Sequence, residues 1–202
     1  MHPNHAFDWT DQEGMLRFVA RERFAHIFTG SNEGLFVVHA PLVVTAAGMI
    51  QFHVSRRNRI AGHLPDRPLL ISVLGRHAYQ SANWYVSDNQ VPTWHYEVVE
   101  IEGVARELDQ TKLIRQLDLL SEAYEARVEP ERPWTRAKMD LAKFEAMTKA
   151  IIGFEVEPAE IRGTRKFNQH KNAADIEATV AGQRQAGRED IAAATLEAAS
   201  ER

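Results

Sequence analysis

From Phe24 onward the chain carries β-branched and aromatic runs at short spacing, "FAHIFTGSNEGLFVVHAPLVV", "MIQFHV" and "PLLISVLG", broken by "GSNEG" and "TAAG". Such punctuation between apolar runs is hairpin-like. Further strands are expected over roughly Arg76 to Gln80 and Glu97 to Ala105, with "AIIGFEVEPAEIRG" as the final barrel strand. About six strands with no helix between most of them argue for an antiparallel barrel rather than a doubly wound sheet.

Helical periodicity appears outside these runs. Met15, Leu16, Phe18 and Val19 recur on one face between Asp11 and Phe24, with Asp11 as the N-cap. Leu113, Ile114, Leu117, Leu120 and Tyr124 do the same after Asp109, and a further helix is expected from Met139 to Ala150. Beyond Asn172 the chain is rich in Ala and charge, and two short helices are expected, with Gly182 and Gly187 marking a break. The fold class is therefore mainly β with flanking helices (α+β). Residues 1–172 form one domain with an N-terminal helix and inserted helices, and residues 173–202 a C-terminal helical extension.

Composition narrows the function classes. With no Cys, thiolate metal sites, disulfides and a cysteine nucleophile are excluded. The net charge of -4 repels polyanions, although a local basic patch is compatible with it. No apolar run approaches the ~20 residues of a membrane span. The stretch Met1 to Trp9 lacks a signal-peptide pattern, so a cytoplasmic location is expected. Nine His show no HxH, HxxxH or HExxH spacing, and no metal site is expected.

"GRHAYQSANWYVSDNQVPTWHYEVVEIEG", from Gly75 to Gly103, interleaves large rings with Ser, Asn and Thr, a composition suited to a flat aromatic ligand. Trp84-Tyr85 and Trp94-His95-Tyr96 flank a loop, and a hairpin would bring them close. Ser55, Arg56, Arg57 and Asn58 follow the strand "QFHV"; forked donors there suit a phosphate, and a solvated basic turn has the same composition. Pro41 in "HAPLVV" either protects an edge or opens backbone groups to a ligand. Lys166, Gln169, Lys171 and Asn172 follow the last strand, as a solvated tail or as groups reaching an anionic ligand or a second subunit.

These segments fall in an order that resembles the PaiB-type FMN-binding negative transcriptional regulators of the FMN-binding split-barrel superfamily. The resemblance rests on "MHPNHAFDWTD", "HAPLVV", "HVSRRN", "GRHAYQSANWY", "VPTWHY", "IIGFEV" and "KFNQHK", and runs from Phe7 to Asn172. Family members commonly carry Asn where His95 stands, and Ser-Gln-Asn where Asn168-Gln169-His170 stands. Tyr124 also departs from a common His.

The resemblance implies a six-stranded split barrel that dimerises, with FMN in a cleft at the subunit interface. Carried over by position, it implies Arg56 and Asn58 at the FMN phosphate, with Ser55 and Arg57 as helpers. Ser81 would approach the phosphate or ribityl chain, Trp84, Thr93 and Trp94 would border the cleft, and Gln169 and Lys171 would come from the partner subunit. It implies a negative transcriptional regulator or a redox-responsive protein. DNA binding is implied by the resemblance only, since no basic recognition helix is visible. Related split barrels supply the alternatives: an FMN-dependent oxidoreductase of the pyridoxamine-phosphate-oxidase or flavin-reductase kind, or a haem-binding barrel.

Overall fold

The computed structural model describes residues 2–201. The strands are β1 (Asp8–Trp9), β2 (Phe24–Ser31), β3 (Gly34–Val44), β4 (Ile50–Ser55), β5 (Pro68–Gln80), β6 (Thr93–Glu107) and β7 (Ile151–Lys166). The helices are α1 (Gln12–Glu22), α2 (Gln110–Val128), α3 (Leu141–Lys149), α4 (Ala173–Gln185) and α5 (Glu189–Ser200). None of these helices is long and apolar enough to cross a membrane.

The strands pair in the order β1-β7-β4-β3-β2-β5-β6, and a further β7–β6 pairing closes the last six into a hydrogen-bonded ring. The sheet thus has seven strands rather than the expected six. The additional one is β1, whose two residues add to β7 through Asp8↔Thr164 and Trp9↔Gly163. The pairings whose register is defined are all antiparallel.

Two expected strands, Pro68 to Gly75 and Arg76 to Gln80, are one continuous strand, β5. Gly75 is not in the left-handed region, so nothing there breaks the extended backbone. Pro41 ends the β2–β3 ladder opposite Phe24, and from Leu42 onward β3 pairs with β4. Its missing N–H therefore falls where one partner is exchanged for another, and the next amide, of Leu42, donates to Arg23 O at 2.9 Å.

The chain divides into two compact units. One comprises Leu16–Val73 and Glu100–Ile161; the other comprises Met1–Met15, Leu74–Val99 and Arg162–Arg202. In the first, Ile27, Leu42, Ile50, Phe52, Ile71, Ile101 and Phe154 are fully buried, with the Phe52 and Phe154 rings stacked at 5.5 Å. Alternation along β3 buries Phe36, Val38 and Ala40 and turns Leu35, Val37 and His39 outward, as a strand with one buried face requires.

In the second unit, Ala78 and Phe167 share an apolar cluster with Ile191, Ala194 and Ala198 of α5, while Ile176 and Val180 of α4 pack with Ala192. Asn172 caps α4, its side chain accepting from Asp175 N. Gly187, with φ +72°, separates α4 from α5 as expected. Gly182 does not break the helix: it lies inside α4, against the ring of Trp84.

Candidate functional site

In the first unit, the strand β4 ends in a tight turn. Asn58 N donates to Ser55 O at 2.9 Å, and Arg57 N donates to Ser55 Oγ at 3.2 Å. Asn58 Oδ1 accepts from Ile60 N at 3.1 Å, so both short polar side chains are spent on holding the backbone. Arg56 ties the turn to the C-terminal end of α3, its N donating to Ala150 O and its Nε to Lys149 O.

What remains outward is cationic. Arg56 Nη2 reaches Glu107 only at 3.8 Å, and both groups are about half exposed. The Arg57 guanidinium is exposed and, among the described residues, has no hydrogen-bond or ion-pair partner. Asn58 Nδ2 is likewise a spare donor. Two guanidinium groups and an amide N–H on a fixed turn are a donor set that fits a phosphate dianion.

The other expected residues belong to the second unit. Ser81 caps the short helical turn Ala82–Trp84, its Oγ accepting from Asn83 N. Trp84 packs on Gly182, whereas Trp94 is 50% exposed and stacks near His77 with Tyr79 edge-on, both at 6.2 Å. The two Trp residues thus find separate partners on either side of the loop. Thr93 Oγ1 accepts from Lys166 Nζ at 2.7 Å, and burial lowers the pKa of that Lys. Gln169 folds back on its own turn, accepting from Phe167 N and donating to Arg165 O. Lys171 Nζ donates to Gln90 Oε1 at 2.7 Å and lies 5.4 Å from the centre of the Tyr85 ring.

A buried polar network in this unit was not anticipated. His95 is 1% exposed, and its Nδ1 lies 3.3 Å from Gln183 Nε2, which also donates to Gln80 Oε1 at 2.8 Å. Thr195 Oγ1 donates to Gln183 Oε1, bringing α5 into the network. Burial, the largest influence, pushes the His95 pKa down to about 4, so the ring is neutral at pH 7. Asp175 at the start of α4 accepts from Val86 N, Ser87 N and Ser87 Oγ, and these bonds hold its carboxyl below the usual range. Parity was the available signal: His95 and Glu97 share the strand face of Val99 and Ile101.

Closure of six strands with a two-residue spur defines a split barrel, and solved structures bear this out. The flavocytochrome Anf3 from Azotobacter vinelandii aligns with a TM-score of 0.62 at 15% identity, covering 82% of this chain and 72% of that one. The FAD and haem binding protein from Mycobacterium smegmatis aligns with a TM-score of 0.59 at 12% identity, covering 79% and 73%.

The chain belongs to the family described as "Putative FMN-binding domain", whose model matches residues 1–160. It is 33% identical over 175 residues to the Protease synthase and sporulation protein PAI 2 of Bacillus subtilis, covering 84% of this chain and 82% of the relative. FMN is the cofactor of this domain, and the donor set of the Ser55–Asn58 turn fits its phosphate.

Proposed function

We propose that this protein is an FMN-holding homodimer of the PaiB type, acting in the cytoplasm as a negative transcriptional regulator or a redox-responsive protein. The observation that carries the reading is the turn after β4, where the backbone is locked and the guanidinium groups of Arg56 and Arg57 are left outward. These groups grip the FMN phosphate, with Asn58 Nδ2 as a third donor; Ser55 and the Asn58 carbonyl build the turn rather than touch the ligand. When bound, FMN supplies reversible electron transfer that no side chain here provides. Ser81, Thr93 and the exposed Trp94 offer hydroxyls and a ring face to a flavin. Trp84 is turned instead onto α4 at Gly182.

A dimer is supported by the outward face of β2 and β3, where Phe24, Phe28, Leu35 and Val37 are exposed beside the edge-to-face rings of His26 and His39. A regulatory role is supported by the name of the Bacillus subtilis relative, a protease synthase and sporulation protein.

The test has three readings. FMN titration followed by absorbance and fluorescence reports the site, and sedimentation of a Val37→Glu variant reports the dimer. A gel shift on the chain's own upstream DNA against random DNA reports regulation. Protein that stays colourless after reconstitution overturns the flavin reading. Binding no tighter than to random DNA overturns the regulator.

A further inference from the structure

The segment joining α2 to α3 does not close on a core of its own. It is braced by polar bonds: Trp134 N donates to Glu125 Oε2 at 2.8 Å, and Lys138 Nζ to Pro133 O at 2.9 Å. Beneath it lies an open pocket of about 840 Å³, bordered by Trp134, Met139, Leu141 and Phe144. A recess of about 330 Å³ shares Trp134, Met139 and Phe144 with that pocket and adds Leu117, Met147 and, from β4, His53. All of these residues belong to one unit. A volume of this size accommodates a small ring system.

The walls select for uncharged ligands. Arg136 and Asp118 border both spaces, yet Arg136 Nη2 lies 3.2 Å from Asp118 Oδ2 and its guanidinium sits 5.4 Å from the Phe144 ring centre. Each charge has its countercharge already, and Glu122, the remaining carboxylate, is exposed at the outer mouth. Most of the remaining recess lining is apolar, with aromatic rings and the polarisable thioethers of two Met that adapt to flat shapes. Ser121 and Thr148 add hydroxyls, that of Thr148 already bonded to Gln110 and to Glu145 O.

His53, which lines the recess, belongs to an under-satisfied polar pair. His53 Nδ1 lies 3.0 Å from Gln116 Oε1, and Gln116 is wholly buried, with no partner for its Nε2 among the described residues. Leaving such a group unpaired is costly, and this suggests a role beyond packing. Burial lowers the His53 pKa, so the ring is neutral at pH 7. With Nδ1 engaged, its other nitrogen is the one left to a ligand. Turning the Gln116 amide over exchanges the His tautomer, so that nitrogen can present either a lone pair or an N–H.

We infer that this recess is a second small-molecule site, which takes a neutral aromatic molecule carrying one hydrogen-bonding group, anchored on His53 and enclosed by Trp134, Met139, Phe144 and Met147. The site does not depend on the flavin assignment. It lies next to the turn that carries Arg56, because Thr148 of the recess wall directly precedes Lys149, the acceptor of Arg56 Nε.

The test is isothermal calorimetry with indole, on the full chain with and without saturating FMN. We expect saturable binding that FMN does not displace, with benzoate and benzylamine at least about tenfold weaker. Met139→Trp and the rim variant Met147→Trp should each weaken indole by about tenfold or more, while Arg57→Ala leaves it unchanged. Met147 is exposed, so its variant retains the fold, which circular dichroism and thermal melting verify for both. Absence of saturable heat, equal affinity for the charged probes, displacement by FMN, or unaltered affinity in both Trp variants overturns the inference. Displacement by FMN would instead assign the recess to the flavin ring.

Discussion

The ring of Trp84 rests on the backbone of α4 at Gly182, so closely that a Cβ on Gly182 would stand 2.4 Å from Trp84 Cγ. A Gly-to-Ala change inside a helix ordinarily stabilises by up to about 1 kcal/mol. Here it forces a rigid indole off its seat, and overpacking of this kind costs about 1–3 kcal/mol. Gly182→Ala should therefore lower the urea midpoint rather than raise it. A midpoint at or above that of the parent protein would show that Trp84 moves freely.

Strand identity was legible because apolar alternation and turn residues are local signals, and the antiparallel ring follows from them. The role of Gly182 was not legible: a glycine that ends a helix and one that admits an indole look alike in a single sequence. Much the same holds for Ser55 and Asn58. Their residue types announce a turn, but only the folded backbone shows that Ser55 Oγ and Asn58 Oδ1 face inward to Arg57 N and Ile60 N. The polar character of His95 and Glu97 obscured a parity that places both on the buried face with Val99 and Ile101. The short β1 has too few residues to show any period.

Glu97 is 1% exposed and accepts from Arg76 through Nε at 2.8 Å and Nη2 at 3.2 Å, while Arg76 also reaches Glu197 of α5 at 2.9 Å. Arg165 joins the same cluster, pairing with Glu201 at 2.8 Å. Removing one member of a buried pair strands its partner at a cost of about 3–5 kcal/mol. Glu97→Ala should destabilise the protein by about that amount, and hydrogen exchange should quicken in α5 before it does in β3. Uniform exchange across both would place Glu97 outside the attachment of α5.

The pH dependence carries a definite sign at His95. Its folded pKa is lowered to about 4 from 6.5, so the unfolded chain binds the proton first as pH falls. Stability is full above about pH 6.5 and declines as pH falls through the window to about 4. The shift corresponds to roughly 3 kcal/mol between those limits. His95→Asn, which retains an amide for Gln183, should flatten the loss measured by urea unfolding between pH 7 and pH 4.5. An unchanged slope would assign the acid sensitivity to other groups.

Arg57 and Asn58 are adjacent yet separable. Among the described residues the Arg57 guanidinium has no partner, so its removal takes nothing from the fold. A charge-assisted bond to phosphate is worth about 1.5–3 kcal/mol, so Arg57→Ala should weaken FMN by roughly ten- to a hundredfold with an unchanged melting temperature. Asn58→Ala removes the acceptor of Ile60 N. It should cost about 1 kcal/mol of stability as well as affinity. Paired FMN titration and thermal melting of the two variants read this difference directly. If Arg57→Ala melts lower and binds FMN as before, the turn is a structural cap and the phosphate lies elsewhere.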